Sequence, residues 1–443
     1  MKQPDAAWLE ELFEWLRIPS VSADPAHAAD VRSAAEWVCA FVERGGGSCG
    51  LVETATHPLA VGEIPASTAP GRAPTVLLYG HVDVQPPGST ELWDSPPFEP
   101  EVRDGWIYGR GSADDKGNLY LLLKAAVLLA GEGTLPVNVR IACDGEEETG
   151  GTSIVEFLRA DERGADACVI FDGSMARRGL PVFTVATRGI AYYHLRVRTG
   201  ERDLHSGVFG GAALNALHAL WEILSAVTAL PAELGAGALP LGAEELAAIR
   251  ELDPGASVLA GQGARPSDSS AAEDFYRRTW SLPAVDVHGV RGGEPVLQKT
   301  VLPVEAEANV SIRLAPGQDA VAIDAAFQRL LDDAAPPGAE LEIERLALNP
   351  PGLVDATATP IRLGLEAFER VLGRRPLLVR TGGTLPIVPV LAERGIATIL
   401  SGFDLPEGNI HSPNERLLLE HLPAGVAAAR ATLTELGRLR QAG

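Results

Sequence analysis

Short apolar runs that end in acidic residues or histidines are the feature that most constrains the fold of this 443-residue chain. Runs over 75–80, 137–143 and 167–171 are followed by His81 and Asp83, by the glutamates 146–148, and by Asp172. Helical patterns over 116–129 and 152–159 separate the runs. This alternation is typical of a mostly parallel sheet, whose strand ends meet at one edge. The sequence therefore predicts an α/β domain that brings these side chains together.

The length of the chain and a change of pattern predict a second domain, since single cores stop growing near ~250–300 residues. After Arg188 the sequence indicates strands over 190–199, 284–290, 304–314 and 340–348, and helices over 212–224 and 320–334. Apolar and polar residues alternate strictly over 304–314, which predicts a sheet with one covered face. We predict a catalytic domain from 1–187 and 351–443, and an inserted α+β, ferredoxin-like domain over 188–350. The stretch 232–278 is poorly periodic and is assigned only as an elaboration of the insertion.

The composition excludes several classes of partner. Lys and Arg number 37 against 59 Asp and Glu, a net charge of −22 spread along the chain, which argues against nucleic acid or an anionic membrane as partner. No apolar run approaches the ~20 residues of a membrane span. Four cysteines without paired spacing indicate neither a metal site nor a disulfide scaffold, and we expect them to be reduced. A cytoplasmic location fits this composition.

His81 and Asp83 form the first element of a predicted site. Residues two apart on an extended segment point the same way, so Asp83 is placed to bond the second ring nitrogen of His81 and to orient it for a metal. A histidine and an aspartate in a polar turn is the alternative interpretation.

Two acidic stretches supply the carboxylates. Asp114 and Asp115 lie in a glycine-framed loop that opens a helix. Helix capping by Asp115 is the alternative interpretation, and capping and metal binding do not exclude each other. The glutamates 146–148 follow a strand directly, and their repulsion is costly unless cations or protons relieve it. A solvated surface loop is the alternative, but a metal ligand beside a general base would suit the activation of water.

Imidazoles mixed with several carboxylates are the groups that a hydrolytic metal site needs. Two divalent metals that share one carboxylate would lower the pKa of a water toward ~7, and a glutamate would take its proton. Zinc suits nitrogen and oxygen ligands, with manganese or cobalt as alternatives. Hydrolysis of an amide is the reaction that these groups predict.

Several motifs in a fixed order resemble a known family, the dinuclear zinc exopeptidases of peptidase clan MH. The family includes carnosine dipeptidase, aminoacylase, carboxypeptidase G and succinyl-diaminopimelate desuccinylase. The matching segments, which favour the dipeptidase-like branch, lie at 80–86, 93–98, 104–116, 147–150, 203–211, 380–386 and 411–415. The segment 382–386 has threonine and leucine where the family usually has serine and isoleucine, which keeps the hydroxyl but changes the shape of the pocket.

The resemblance implies a role for each matched residue. One Zn²⁺ would bind His81, Asp114 and Asp172, and the second would bind Asp114, Glu148 and His411. Asp114 would bridge the two ions through a loop with a cis Asp114–Asp115 peptide. Glu147 matches the general base, and Asp83 matches the group that orients His81.

The resemblance also implies that the insertion is a lid and dimerisation domain. His205 would reach the site of the partner subunit and stabilise the oxyanion, although on residue type alone it is equally a loop residue. Substrate contacts are implied for Thr300, Arg313, Arg380, Gly383 and Thr384, because arginine suits a planar carboxylate. Without the resemblance, Arg313 is a solvent-facing strand residue.

These features predict a homodimeric, metal-dependent dipeptidase that hydrolyses short peptides with two Zn²⁺ per subunit and Glu147 as general base. The same site in an N-acyl or N-carbamoyl amino acid amidohydrolase is the alternative. A non-enzymatic binding protein would be expected to have lost a ligand or the base, and every matched position is present.

Overall fold

The computed structural model describes residues 5–439 and divides into two compact units. The first unit contains the residues up to Val185, Val354–Val379 and those from Pro386 onward. The second contains Ala186–Leu353 and Arg380–Leu385. The division lies within three residues of the predicted boundaries, and it also assigns the short segment 380–385 to the second unit.

A six-stranded sheet forms the centre of the first unit. Its strands lie in the order Ser48–Val52, Leu59–Ile64, Asn138–Asp144, Thr75–His81, Ala167–Ile170 and Thr398–Leu400. The last four are mutually parallel, and the first two pair antiparallel. Parallel strands are buried on both faces and read as continuous apolar runs, which explains the sequence pattern. A small antiparallel sheet joins Arg416–Leu418, Trp106–Tyr108 and Glu101–Arg103.

Helices cover the sheet of the first unit. Residues 119–123 of one helix are fully buried, as expected for a helix that is apolar on all sides. The α-helices span Ala6–Leu16, Ala28–Arg44, Lys116–Gly131, Thr152–Ala160, Thr359–Leu372, Ile387–Glu393 and His421–Leu436. Short 3₁₀ helices span Pro25–His27, Pro70–Arg72, Thr90–Leu92, Glu147–Thr149 and Pro406–Gly408.

A four-stranded antiparallel sheet forms the second unit. Its order is Ala284–Gly292, Glu305–Leu314, Gly189–Arg198 and Glu340–Asn349. The predicted alternation is observed, because Ala306, Ala308, Val310, Ile312 and Leu314 are buried against helices. Two-residue strands Leu204–His205 and Val301–Leu302 pair with each other, and Gly352–Leu353 ends the insertion.

The helices of the second unit are of two kinds. Ala216–Thr228 and Ala320–Ala334 pack on the sheet, and the first begins four residues later than predicted because Asn215 caps it. The poorly periodic stretch contains short helices that have too few turns to show a hydrophobic period. They are the 3₁₀ helix Ala232–Gly235 and the α-helices Ala243–Ile249, Gly255–Gly261 and Phe275–Ser281; a further short α-helix, Ser206–Phe209, lies before this stretch.

Two of the boundaries between the units fall inside strands, one in Val182–Thr187 and one in Leu377–Thr381. The predicted fold class is confirmed: a mostly parallel α/β domain carries an α+β insertion. Among residues 5–439, no helix is long and apolar enough to cross a membrane.

Candidate metal centre

Four of the five predicted ligands follow the carboxyl ends of the four parallel strands of the first unit, and the fifth, Asp114, follows Trp106–Tyr108 of the small antiparallel sheet. His81 is the last residue of its strand, and Asp172 follows Ala167–Ile170 after one residue. Glu147 and Glu148 open the short helix Glu147–Thr149, which follows Asn138–Asp144. His411 lies in the loop after Thr398–Leu400. The sheet therefore explains why residues far apart in sequence converge.

Asp114 lies between the two histidines. Its Oδ1 is 3.0 Å from Nε2 of His81, and its Oδ2 is 2.9 Å from Nε2 of His411. The same nitrogen of His411 lies 3.3 Å from Oε2 of Glu148. Two groups of three ligand atoms result, each within 4.8 Å: His81, Asp114 and Asp172, and Asp114, Glu148 and His411.

These two triads fit divalent cations. Each combines one imidazole with two carboxylates, a donor set that suits zinc and its neighbours. Gln85 donates to Oε2 of Glu148 at 2.8 Å, whereas Oε1 of Glu148 is buried and has no hydrogen-bond partner among residues 5–439. A buried carboxylate oxygen without a donor is costly, and a cation would satisfy it.

Burial and the neighbouring charges shift the pKa values of the site residues. Burial opposes charge on His81, but the carboxylates of Asp114 and Asp83 raise its pKa well above the usual value. Asp114 and Glu148 raise the pKa of His411 to about 10. Burial raises the pKa of Asp172 to about 7. Without a cation, protons would hold the site together, so metal binding must displace protons.

Asp83 contacts His81 through both its backbone and its side chain. Nδ1 of His81 is 2.9 Å from the backbone oxygen of Asp83, which fixes the ring, and its distance to the carboxylate is 3.4 Å. The carboxylate also accepts from the backbone N–H of Glu147 at 3.2 Å, from that of Glu148 at 3.1 Å, and from the hydroxyl of Ser22 at 2.6 Å. One fully buried residue thus holds a ligand histidine and the turn that carries two glutamates.

The structure contradicts the alternative interpretations of the acidic stretches. The Asp115 side chain does not cap the following helix; its Oδ2 accepts from the backbone N–H of His81 at 3.1 Å. The Asp114–Asp115 peptide is cis. Glu146 is buried and accepts from Ser153 N at 2.7 Å, so the glutamates are not a solvated loop. Burial raises the pKa of Glu147 well above its usual value, while the positive charge of His81 opposes that rise.

The remaining predicted site residues lie in the second unit. His205 ends the strand Leu204–His205, and Thr300 directly precedes its partner strand Val301–Leu302. Both side chains are exposed, and Nδ1 of His205 accepts from Gly207 N at 3.0 Å. The Nε2 atom of that imidazole has no hydrogen bond within this unit.

A second cluster joins Arg313 to the segment that contains Gly383 and Thr384. The hydroxyl of Thr384 accepts from Nη1 of Arg313 at 2.9 Å and donates to the backbone oxygen of Arg188 at 2.7 Å. Burial lowers the pKa of Arg313 and lowers that of Arg188 to about 10. Half-buried guanidinium groups of this kind suit an anionic ligand.

Arg380 is engaged differently. Its Nε and Nη2 bind Glu245 at 2.6 and 3.0 Å, and its other bonds go to the carbonyl oxygens of Leu239 and Pro240. This ion pair fastens the segment 380–385 to the short helix Ala243–Ile249. A substrate carboxylate would have to compete with Glu245 for Arg380.

Sequence reasoning missed Ser22, Gln85, Arg188 and Glu245. Their contacts join segments 61 to 194 residues apart, and none lies at the end of a predicted strand. For Gln85 alone a local signal existed, because it lies within the segment 80–86 that matched the family.

Comparisons with known proteins agree with this geometry. The model of peptidase family M20/M25/M40 matches residues 77–435. The cysteinylglycine-S-conjugate dipeptidase of Corynebacterium striatum is 30% identical, over 96% of this chain and 94% of its own length. Human carnosine dipeptidase 1 superposes with a TM-score of 0.81 at 25% identity, over 98% of this chain and 96% of its own. The M20 metallo-carboxypeptidase Sso-CP2 of Sulfolobus solfataricus gives 0.85 at 25% identity, over 98% and 100%. The family inferred from the motifs is thereby confirmed, and the chain belongs to peptidase family M20/M25/M40.

Proposed function

We propose that this protein is a dipeptidase that cleaves short peptides at a centre of two divalent cations. The observation that carries the proposal is the pair of ligand triads that share Asp114, with Glu147 held beside them. The relatives of this chain include a cysteinylglycine-S-conjugate dipeptidase and a Beta-Ala-His dipeptidase, which supports a dipeptide as the substrate class.

Glu147 is the proposed general base. Its backbone N–H is bound by Asp83, and it precedes the ligand Glu148 in sequence. Besides burial, the charges of His81, Asp172 and Glu148 all act on the pKa of its carboxyl group, which supports a position beside the ligand cluster. It would accept a proton from the attacking water and deliver it to the nitrogen of the leaving amine. Bound cations would lower the pKa of that water and polarise the scissile carbonyl. We propose two Zn²⁺, with Mn²⁺ or Co²⁺ as replacements.

Arg313 is the proposed anchor for the C-terminal carboxylate of the substrate, and its guanidinium group donates a hydrogen bond to the hydroxyl of Thr384. The contacts of Thr300, Gly383 and Arg380 with substrate remain proposals from the family resemblance, and the Arg380 contact would require displacement of Glu245.

The proposed assembly is a homodimer formed through the second unit, in which His205 serves the site of the partner subunit. An exposed imidazole with an unused nitrogen is consistent with that role. A cytoplasmic location without nucleic-acid or membrane partners is proposed from the acidic composition. Sedimentation of the purified protein tests the assembly.

The decisive test uses protein stripped of metal and reconstituted with zinc, manganese or cobalt. Each form is given a panel of dipeptides and N-acetyl amino acids with matched side chains. We expect no cleavage by the stripped protein, and restored cleavage of dipeptides.

Restored cleavage of N-acetyl amino acids alone would move the protein to the amidohydrolase alternative. Cleavage that persists after the metal has been removed, as verified by elemental analysis, would refute the metal-dependent proposal.

A further inference from the structure

A fully buried ion pair joins the two loops that carry Asp114 and His411. Arg110 lies four residues before Asp114, and Glu415 lies four residues after His411. Their side chains are 1% and 0% exposed, and Nη1 of Arg110 lies 2.6 Å from Oε2 of Glu415. Burial of two charges is costly and is seldom the most stable choice for a core, so such a pair invites a functional explanation.

The carboxylate of Glu415 binds far more than Arg110. It accepts from the backbone N–H groups of Gly111 at 3.0 Å, Ala113 at 2.9 Å and Asp114 at 3.0 Å. These three groups form the turn that presents the Asp114 side chain. Because Asp114 belongs to both ligand triads, the position of this turn affects both.

Arg110 also contacts the loop that carries His411. Its Nη2 lies 3.3 Å from the carbonyl oxygen of Pro86 and 3.5 Å from that of Ser412, the residue after His411. The backbone of His411 has a φ of 59°, a left-handed conformation that is uncommon for a residue other than glycine. That conformation persists only where surrounding contacts hold it.

We propose that Glu415, paired with Arg110, is a positioning residue that keeps Asp114 and His411 in register for the cations. The inference rests on the proposed two-metal centre. The hydrogen bonds of Glu415 go to Arg110 and to backbone N–H groups, so it acts through the backbone of one loop and its covalent place in the other. The triad of Asp114, Glu148 and His411 draws two ligands from the joined loops, whereas the other triad draws only Asp114.

The test is Glu415→Gln in the full chain, with zinc affinity measured by competition against a chelator. The amide cannot accept from all four donors and leaves Arg110 without a counter-charge. Loss of a group that orients ligands typically weakens metal binding ~10- to 100-fold. We expect a weakening of this size for one of the two zinc equivalents and a smaller one for the other.

Asp161→Asn is the matched control. It breaks the Arg140–Asp161 pair, which is also buried in the first unit and has bonds of 2.8 and 3.0 Å, but which contacts neither ligand loop. We expect it to lower the unfolding midpoint and to leave both zinc affinities unchanged. A second variant, Arg110→Gln, keeps the Glu415 carboxylate on the backbone and should weaken the same zinc equivalent by a smaller factor.

The outcomes separate this inference from the proposed function. Wild-type protein that binds no zinc would end both. Two zinc equivalents bound by the wild type, with unchanged affinities in Glu415→Gln, would end the positioning role alone. If Glu415→Gln does not fold, Arg110→Gln decides, and unchanged zinc affinities in that variant would overturn the inference. If Asp161→Asn lost as much zinc affinity as Glu415→Gln, the Arg110–Glu415 pair would have only a structural role, and the inference would be overturned.

Discussion

Replacement of Asp83 by asparagine tests how the turn that carries the glutamates is held. The carboxylate has no solvent exposure and accepts from Glu147 N, Glu148 N and the Ser22 hydroxyl. Asparagine has the same shape but only one acceptor atom. Whichever way the amide lies, its NH₂ group faces one of the two backbone N–H groups.

The magnitude follows from these contacts. With the amide nitrogen in the place of Oδ1, the N–H of Glu147 has no acceptor, which costs about 1–3 kcal/mol, and the two bonds to the remaining oxygen each weaken by about 1 kcal/mol because that oxygen has lost its charge. We therefore expect Asp83→Asn to lower the free energy of unfolding of the zinc-loaded protein by about 3–5 kcal/mol. Turnover should fall as well, because Glu147 and Glu148 lose the anchor of their backbone.

Denaturant unfolding at a fixed free zinc concentration measures the stability, and hydrolysis of a dipeptide measures the turnover. Ser22→Ala is the matched control, since it removes one donor and leaves both backbone N–H groups bound to Asp83. It should cost about 1–2 kcal/mol and leave turnover nearly unchanged. The reasoning is refuted if Asp83→Asn unfolds and turns over like the wild type, or if the two variants behave alike.

Three further predictions concern single contacts. Glu147→Gln should retain its zinc and lose ~10²- to 10⁴-fold in turnover, and near-normal turnover would remove Glu147 as the base. Arg313→Ala should raise KM by roughly 10- to 100-fold for dipeptides with a free carboxylate, and an equal rise for C-terminally amidated substrates would contradict the anchor. Burial acts to raise the pKa of Asp161, but hydrogen bonds from Arg140 prevail and lower it. The Asp161–Arg140 pair therefore stabilises the fold above the unfolded pKa of about 3.9, and this contribution is lost as pH falls below it. The stability difference between wild type and Asp161→Asn should shrink from pH 7 to pH 3, and a constant difference would be inconsistent with the ion pair.

The positions that the sequence could predict are those where one element dictates the outcome. His81, Glu148 and Asp172 follow apolar strands, and the parallel sheet brings strand ends together without any need to know side-chain contacts. The helix Ala320–Ala334 and the strand Glu305–Leu314 have clear periods, and their predicted bounds agree within one residue.

Side-chain partners across long separations could not be predicted in this way. The bonds from Glu415 to the Asp114 loop join residues about 300 apart, and nothing periodic marks either end. Asp83 shows a second limit of prediction from sequence. The spacing placed Asp83 near His81, but it could not show that the backbone oxygen of Asp83 makes the shorter contact with the ring. That depends on Ser22 and the 147–148 turn, which donate hydrogen bonds to the carboxylate. Arg380 matched a substrate-contact position of the family, yet its donors are taken by Glu245, which lies in a stretch without periodicity.

The order of the strands has a consequence for synthesis on the ribosome. Ala167–Ile170 pairs on one side with Thr75–His81 and on the other with Thr398–Leu400, which comes after the whole insertion. Roughly 230 residues, made at ~5–20 per second, separate the two partners, so the nascent chain holds an apolar strand edge open for about 10–45 s. An unpaired, hydrophobic edge is a template for aggregation. Pairing of Thr398–Leu400 closes that edge and brings His411 to the other proposed metal ligands, so we expect the sheet and the candidate metal site to be completed together, late in synthesis.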